Sequence, residues 1–163
     1  MQMQRLQTQE NVGLLIAVAR RSIKQAVGEL GRPYRLSAQR FWLLLGIYER
    51  EGLSLCELAG GSRIDEPTAS RIVSALARHG LVHVADDPVD RRRSRLLLTR
   101  AGRDLAAQLA PLAEGLRLAT VSGFSAAERR ALVTSLRRVV ENIDRFTRKW
   151  RDGGAHEPAE DQR

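Results

Sequence analysis

Residues 54–99 read SLCELAGGSRIDEPTASRIVSALARHGLVHVADDPVDRRRSRLLLT. The segment opens on Ser54-Leu-Cys-Glu57, a capping box in which serine and glutamate each bond the other's backbone N–H, and this predicts a short helix to Ala59. Asp65 is placed to cap a longer helix that runs to Arg78, with Gly80 ending it. Pro67 is tolerated in the first turn, where no intrahelical N–H bond is lost. Leu81–Ala85 and Ser94–Thr99 are strand-like runs, and Asp86–Arg93 between them carries turn residues and a basic cluster.

Short helix, turn, longer helix and basic hairpin follow one another in the order of a winged helix-turn-helix. In that geometry the second helix enters the major groove of duplex DNA. Ala69, Ile72, Val73 and Leu76 form its inward stripe, which turns Thr68, Arg71, Ala75 and Arg78 outward and leaves Ser70 and Ser74 at the margins. Thr68 and Ser70 can donate to bases or phosphates, Ser74 adds a third small hydroxyl, and Arg71 can bond guanine bidentately or clamp a phosphate. Taken alone, the same face reads equally well as an ordinary solvated one. The hairpin tip tilts the balance: Arg91, Arg92, Arg93 and Arg95 crowd positive charge that an anion would relieve, and arginine inserts readily into a narrow minor groove.

Outward from this segment the chain reads as helices. Val12, Leu15, Ile16, Ala19, Ile23, Ala26, Val27 and Leu30 recur at helical spacing, with Leu14 and Val18 on a second face and Gly31 and Pro33 as a stop. One face suits the chain's own core and the other a partner chain. Ser37 caps a second helix through Phe41, Trp42, Leu44, Leu45 and Tyr48. Thr99 caps a fifth helix containing Leu105, Leu109, Leu112 and Leu116, which Pro111 is expected to kink or divide. Ser125-Ala-Ala-Glu128 is a second capping box, opening a last helix with Leu132, Leu136, Val139, Val140, Ile143 and Phe146 on one face.

The expected fold is mainly α with a small β-hairpin wing. Residues 35–99 form the winged helix-turn-helix lobe, 10–34 and 100–150 a helical dimerisation region, and 151–163 a disordered tail. The length of 163 residues suffices for a core without disulfides or metals, and 43% apolar with 28% charged residues is globular composition. The net charge of +8 favours a polyanionic partner. No apolar run is long enough to span a bilayer and the N-terminus lacks a signal-peptide core, so a cytoplasmic location without membrane association is expected. The single Cys56 fits a reducing compartment and reads as a small helix residue. His79, His83 and His156 have no metal-ligand spacing, and neither a phosphate loop nor a paired acid and base stands in the sequence. No cofactor and no enzymatic activity are expected.

The sequence resembles the MarR family of multiple-antibiotic-resistance regulators. The resemblance rests on Leu58-Ala59, Asp65 through Leu76, Gly80-Leu81-Val82, Asp87-Pro88-Val89-Asp90-Arg91-Arg92 and Leu98-Thr99-Arg100-Ala101-Gly102, and extends over roughly residues 10 to 150. It implies a homodimer whose first, fifth and sixth helices pair and whose two wings and recognition helices span a near-palindromic operator. It also implies that Asp90 braces the wing while Arg92 enters the minor groove. Where members often carry a hydrophobic residue and glycine at the turn, this chain has Ser62 and Arg63, so Gly60 and Gly61 are expected to make the turn.

Many such regulators hold small aromatic acids or other lipophilic compounds between dimerisation helices and DNA-binding lobe. The resemblance sets Tyr34, Arg40, Phe41 and Trp42 near that place, although aromatics on an amphipathic helix read first as core. The resulting reading is a sequence-specific DNA-binding regulator, a repressor released by a small ligand. The alternative is a winged module that binds proteins or shapes DNA without a specific operator.

Overall fold

A computed structural model describes residues 11–87 and 94–153. Its elements are α1 (Val12–Gly31), a 3-10 turn (Arg32–Tyr34), α2 (Ala38–Glu49), α3 (Leu55–Ser62), α4 (Glu66–Arg78), β1 (Val82–Asp86), β2 (Ser94–Leu98), α5 (Arg100–Thr120) and α6 (Ala126–Gly153). Helix starts are fixed by side chains that accept the otherwise unpaired N–H groups of a first turn. Asn11 accepts from Leu14 N–H at 3.0 Å and Ser37 from Arg40 N–H at 3.4 Å. Both capping boxes close: Ser54 N–H donates to Glu57 at 2.8 Å and Glu57 N–H to Ser54 Oγ at 3.2 Å, with 2.8 and 3.3 Å for Ser125 and Glu128.

The chain divides into two compact units, the first ending at Leu118 and the second beginning at Ala119. In the first, Phe41, Leu44 and Ile47 of α2, Leu76 of α4, Leu96 of β2 and Leu109 of α5 are fully buried. Removing the Phe41 ring would cost about 3–5 kcal/mol, the usual loss for a buried aromatic. The hairpin is antiparallel, Val82 facing Leu98 and Asp86 facing Ser94. Val82, Leu96 and Leu98 turn into the core, while Val84, on the same face as Val82 and opposite Leu96, stays exposed together with His83, so the core covers the hairpin only at its base.

Three contacts hold the base of the hairpin. Gly52 N–H donates to Leu96 C=O at 3.0 Å and Leu96 N–H to Leu53 C=O at 2.8 Å, tying the loop before α3 to the two-stranded sheet. The Thr99 hydroxyl donates to Gly80 C=O at 2.6 Å and accepts from Gly102 N–H at 2.9 Å, which joins the end of α4 to the start of α5. Gly102 is required there, because a Cβ would lie 1.9 Å from the Leu81 carbonyl oxygen. Finally, Glu51 accepts from Leu98 N–H at 2.9 Å and from both terminal nitrogens of Arg103 at 2.7 and 2.9 Å. The Arg103 guanidinium, then the Leu98 N–H, hold the Glu51 carboxyl below the ordinary carboxylate pKa.

Five sequence expectations need correction. The third helix does not end at Ala59 but continues through Gly60 and Gly61 to Ser62. The turn is made by Arg63, at φ 50° in the left-handed region, rather than by the glycines. Pro111 does not divide the fifth helix, which is assigned as one element from Arg100 to Thr120. Ala75, expected to face outward, is buried where α4 packs against the lobe. The last helix also runs to Gly153, three residues into the expected tail, whose remainder lies outside the described residues.

Among the described residues the second unit holds the last two residues of α5, the turn after it and the 28 residues of α6. Leu132, Val133, Leu136, Ile143, Phe146 and Trp150 fall on its apolar side and all remain exposed, Phe146 by 63%. The rings of Phe146 and Trp150 stack with centroids 6.2 Å apart. In the first unit, the early part of α1 is equally uncovered: Val12, Leu14, Leu15, Val18 and Ile23 are exposed. The face of α1 expected to serve the chain's own core does so only toward its end, where Val27 is fully buried. No described helix is long and apolar enough to cross a membrane.

Candidate nucleic-acid interface

Helix α4 presents one polar face. Asp65 accepts from Thr68 N–H at 2.8 Å and from the Thr68 hydroxyl at 2.9 Å, and Arg71 donates to the same hydroxyl oxygen at 3.0 Å. The Thr68 N–H, its hydroxyl and the nearby Arg71 hold the Asp65 carboxyl below its usual pKa, so this cap stays charged in neutral solution. Thr68, read from the sequence as a donor to DNA, therefore spends its one hydroxyl proton on Asp65. In this arrangement it aims Arg71. Pro67, Ser70, Arg71, Ser74 and Arg78 are exposed, and behind them Ala69, Ile72, Val73, Ala75 and Leu76 are buried. Such a helix is anchored along one side and offers small hydroxyls and guanidinium groups on the other, the chemistry that reads base edges and phosphates.

Of the wing residues singled out in the sequence, Asp90, Arg91, Arg92 and Arg93 lie outside the described residues. Arg95 lies within them, on β2, and its Nε donates to Asp87 at 2.7 Å. This ion pair spans the hairpin where it leaves the lobe, and Asp87 is its more buried partner. Arg95 is accordingly a brace of the wing in addition to a source of positive charge. No local sequence signal marks this pairing, since the two residues are eight apart and meet only when the hairpin closes.

The four residues assigned to a ligand pocket do not converge. Phe41 is fully buried in the core, Trp42 meets it edge-on at 5.4 Å and is 42% exposed, and Tyr34 sits half-buried in the 3-10 turn. Arg40 instead lines an open cleft of about 410 Å³ between the start of α2 and α4, together with Ser37, Thr68, Arg71, Ile72 and Ala75. Consecutive helix positions point about 100° apart, which is why Arg40, Phe41 and Trp42 face different surroundings. Sequence reading also missed Glu51 altogether and the structural role of Gly102, both of which depend on contacts with residues far along the chain.

With this geometry in hand, the chain can be compared with known proteins. A family model described as MarR family matches residues 36–94. The HTH-type transcriptional repressor NicR of Pseudomonas putida is 28% identical over 108 residues, 66% of this chain and 68% of NicR. The structure of Bordetella bronchiseptica BpsR, whose DNA binding is regulated by 6-hydroxynicotinic acid, is 30% identical and covers 80% of this chain and 94% of BpsR, with a TM-score of 0.70. A MarR-family regulator of Listeria monocytogenes, solved with a 26mer DNA, shares the fold with a TM-score of 0.77 over 91% of this chain and 99% of its own at 23% identity.

Proposed function

This chain belongs to the MarR family, and from that premise we propose that it is a homodimeric, sequence-specific DNA-binding transcriptional regulator, a repressor that a small aromatic ligand releases. The observation that carries the reading is α4: its inner side is anchored in the core and its outer side exposes Ser70, Arg71, Ser74 and Arg78 and no large apolar residue. A helix built to bind protein would instead present an apolar anchor to its partner.

Arg71 and Arg78 contact DNA from α4, with Pro67, Ser70 and Ser74 lining the approach. Arg91, Arg92 and Arg93 act from the wing, braced by Asp90 and by the pair of Arg95 with Asp87. Two such lobes in one dimer require a near-palindromic operator. The exposed apolar sides of α1 and α6 support the dimer, because contiguous apolar surface of that kind marks an interface.

The ligand class rests on the likeness to BpsR, regulated by a hydroxylated pyridine carboxylic acid, and the repressing sense on the likeness to the repressor NicR. The test is enrichment of bound duplexes from a random pool, followed by titration of the complex with aromatic carboxylates. Enrichment of one inverted repeat and its release by such an acid are expected. A pool that stays random after repeated rounds would refute a specific operator.

A further inference from the structure

The cleft between α2 and α4 is lined by two guanidinium groups from different helices. Arg40 comes from the first turn of α2 and is half-buried, while Arg71 comes from the exposed side of α4. Among the described residues neither forms an ion pair with a carboxylate, and no acidic side chain lines the cleft. Asp65, whose carboxylate Arg71 also feels, is turned onto Thr68 by two hydrogen bonds, and Thr68 in turn takes one N–H of Arg71. That leaves the other Arg71 donors and the Arg40 guanidinium for an outside acceptor. The hydroxyls of Ser37 and Thr68 make the rim polar, and Ile72 and Ala75 close the floor.

Two like charges lining an open cleft to which no carboxylate contributes are a disfavoured arrangement in isolation and a favourable one around an oxyanion. We infer that Arg40 and Arg71 together seat one backbone phosphate of the DNA, so that the interface extends beyond α4 and the wing onto α2. The inference rests on the DNA-binding reading given above. It also moves Arg40 from a ligand pocket to the DNA contact. Because a phosphate contact carries no base information, Arg40 fixes the register of the lobe on the duplex and contributes equally to every sequence. Arg71, at the edge of the groove face, combines that contact with reading of bases.

The same oxyanion chemistry could be satisfied by a small carboxylate, and the experiment separates the two sources. The full chain and its Arg40→Gln and Arg40→Lys variants are titrated on the enriched duplex and on a random duplex over a range of salt, and each is separately melted with and without benzoate. Arg40→Gln is expected to lower the slope of log affinity against log salt by about 1.8 per dimer, two phosphates at about 0.9 each. At low salt it therefore loses about tenfold more affinity relative to wild type than after a roughly fourfold increase in salt. Loss is expected to be the same on both duplexes, and Arg40→Lys, which keeps the point charge, restores most of the slope. Ethylation of single phosphates is expected to mark one symmetric pair in wild type that Arg40→Gln no longer senses.

An unchanged salt slope in folded Arg40→Gln, while the enriched duplex is still bound specifically, overturns the phosphate seat and leaves the regulator reading intact. Benzoate stabilising wild type but not Arg40→Gln, with the slope unchanged, overturns it in favour of a small-anion site. Failure of wild type to discriminate between the two duplexes refutes the regulator reading itself, and with it this inference.

Discussion

Helices α4 and α6 carry the same kind of sequence signal and meet opposite fates. Both are amphipathic with apolar residues at three- and four-residue steps, and both are opened by a side-chain cap. Yet α4 buries five residues within its own unit, whereas α6, more than twice as long, buries none among its described residues. Periodicity declares that a face exists and says nothing about what covers it. For α4 the cover is the lobe's own core, which makes the helix a rigid platform for polar contacts. For α6, and for the exposed start of α1, the cover proposed here is a second copy of the chain.

That contrast can be broken from either side. The largest effect belongs to the lobe: Phe41→Ala should cost about 3–5 kcal/mol in denaturant unfolding, by an amount independent of protein concentration. A loss that vanished on concentrating the protein would show that the lobe, too, depends on its partner. Next comes the uncovered stripe, where Leu136→Asp combined with Phe146→Asp should turn the dimer into a monomer in sedimentation experiments. Affinity for a two-lobed operator should then fall about a hundredfold or more, because each lobe binds on its own. An unaltered dimer would mean that this side of α6 is not the interface.

A smaller effect is expected at the junction. Gly102→Ala would push a methyl group into the Leu81 carbonyl 1.9 Å away, forcing α5 off the wing base and destabilising the lobe by about 1–3 kcal/mol. Thermal unfolding gives the answer, and a neutral result would show that the junction yields easily. Smallest is the acid response of Glu51. Its pKa is lowered in the folded state, so its contribution is full above the ordinary carboxylate pKa and fades as pH falls through the lowered one. Glu51→Gln should therefore be less stable than wild type at neutral pH, with the gap shrinking in acid. A gap that stayed constant with pH would assign the loss to shape instead of charge.

The parts of this architecture that were legible in the sequence are those decided locally. The caps at Ser37, Ser54, Asp65, Thr99 and Ser125 were readable because each acts on an N–H three residues away. The extent of α4 was readable too, since Asp65 and Gly80 bracket it. Gly60 and Gly61 misled because glycine lacks helix propensity, but that cost of about 1 kcal/mol per residue is offset once Leu58 and Ala59 are buried. Arg63 then takes the left-handed conformation, and its N–H bonds the Ala59 and Gly60 carbonyls to finish the helix. Pro111 misled similarly: it removes one backbone hydrogen bond, while Ala106 and Leu109 before it remain packed in the core.

The interface was legible in its residue types and not in its pairings. Arg71 could be placed on the outer face and Ser70 at its margin by counting, and both are exposed. That Arg95 is tied to Asp87, or that Arg40 shares a cleft with Arg71, follows from tertiary neighbours that no local rule supplies, whereas the Thr68–Asp65 bond is a local one, three residues apart, that the reading of Thr68 as a DNA donor passed over. Ala75 shows the same limit, a small residue that counting placed outside and α2 covers.

The central claim is that this polar face reads sequence. Its most direct test is the ratio of affinities of the full dimeric chain for its enriched inverted repeat and for a scrambled duplex of equal length, measured at one fixed salt concentration. A ratio of about a thousandfold or more is expected of a specific regulator. Affinities equal within a few-fold, with both falling in parallel as salt rises, would contradict the claim and reduce the chain to a nonspecific polycation.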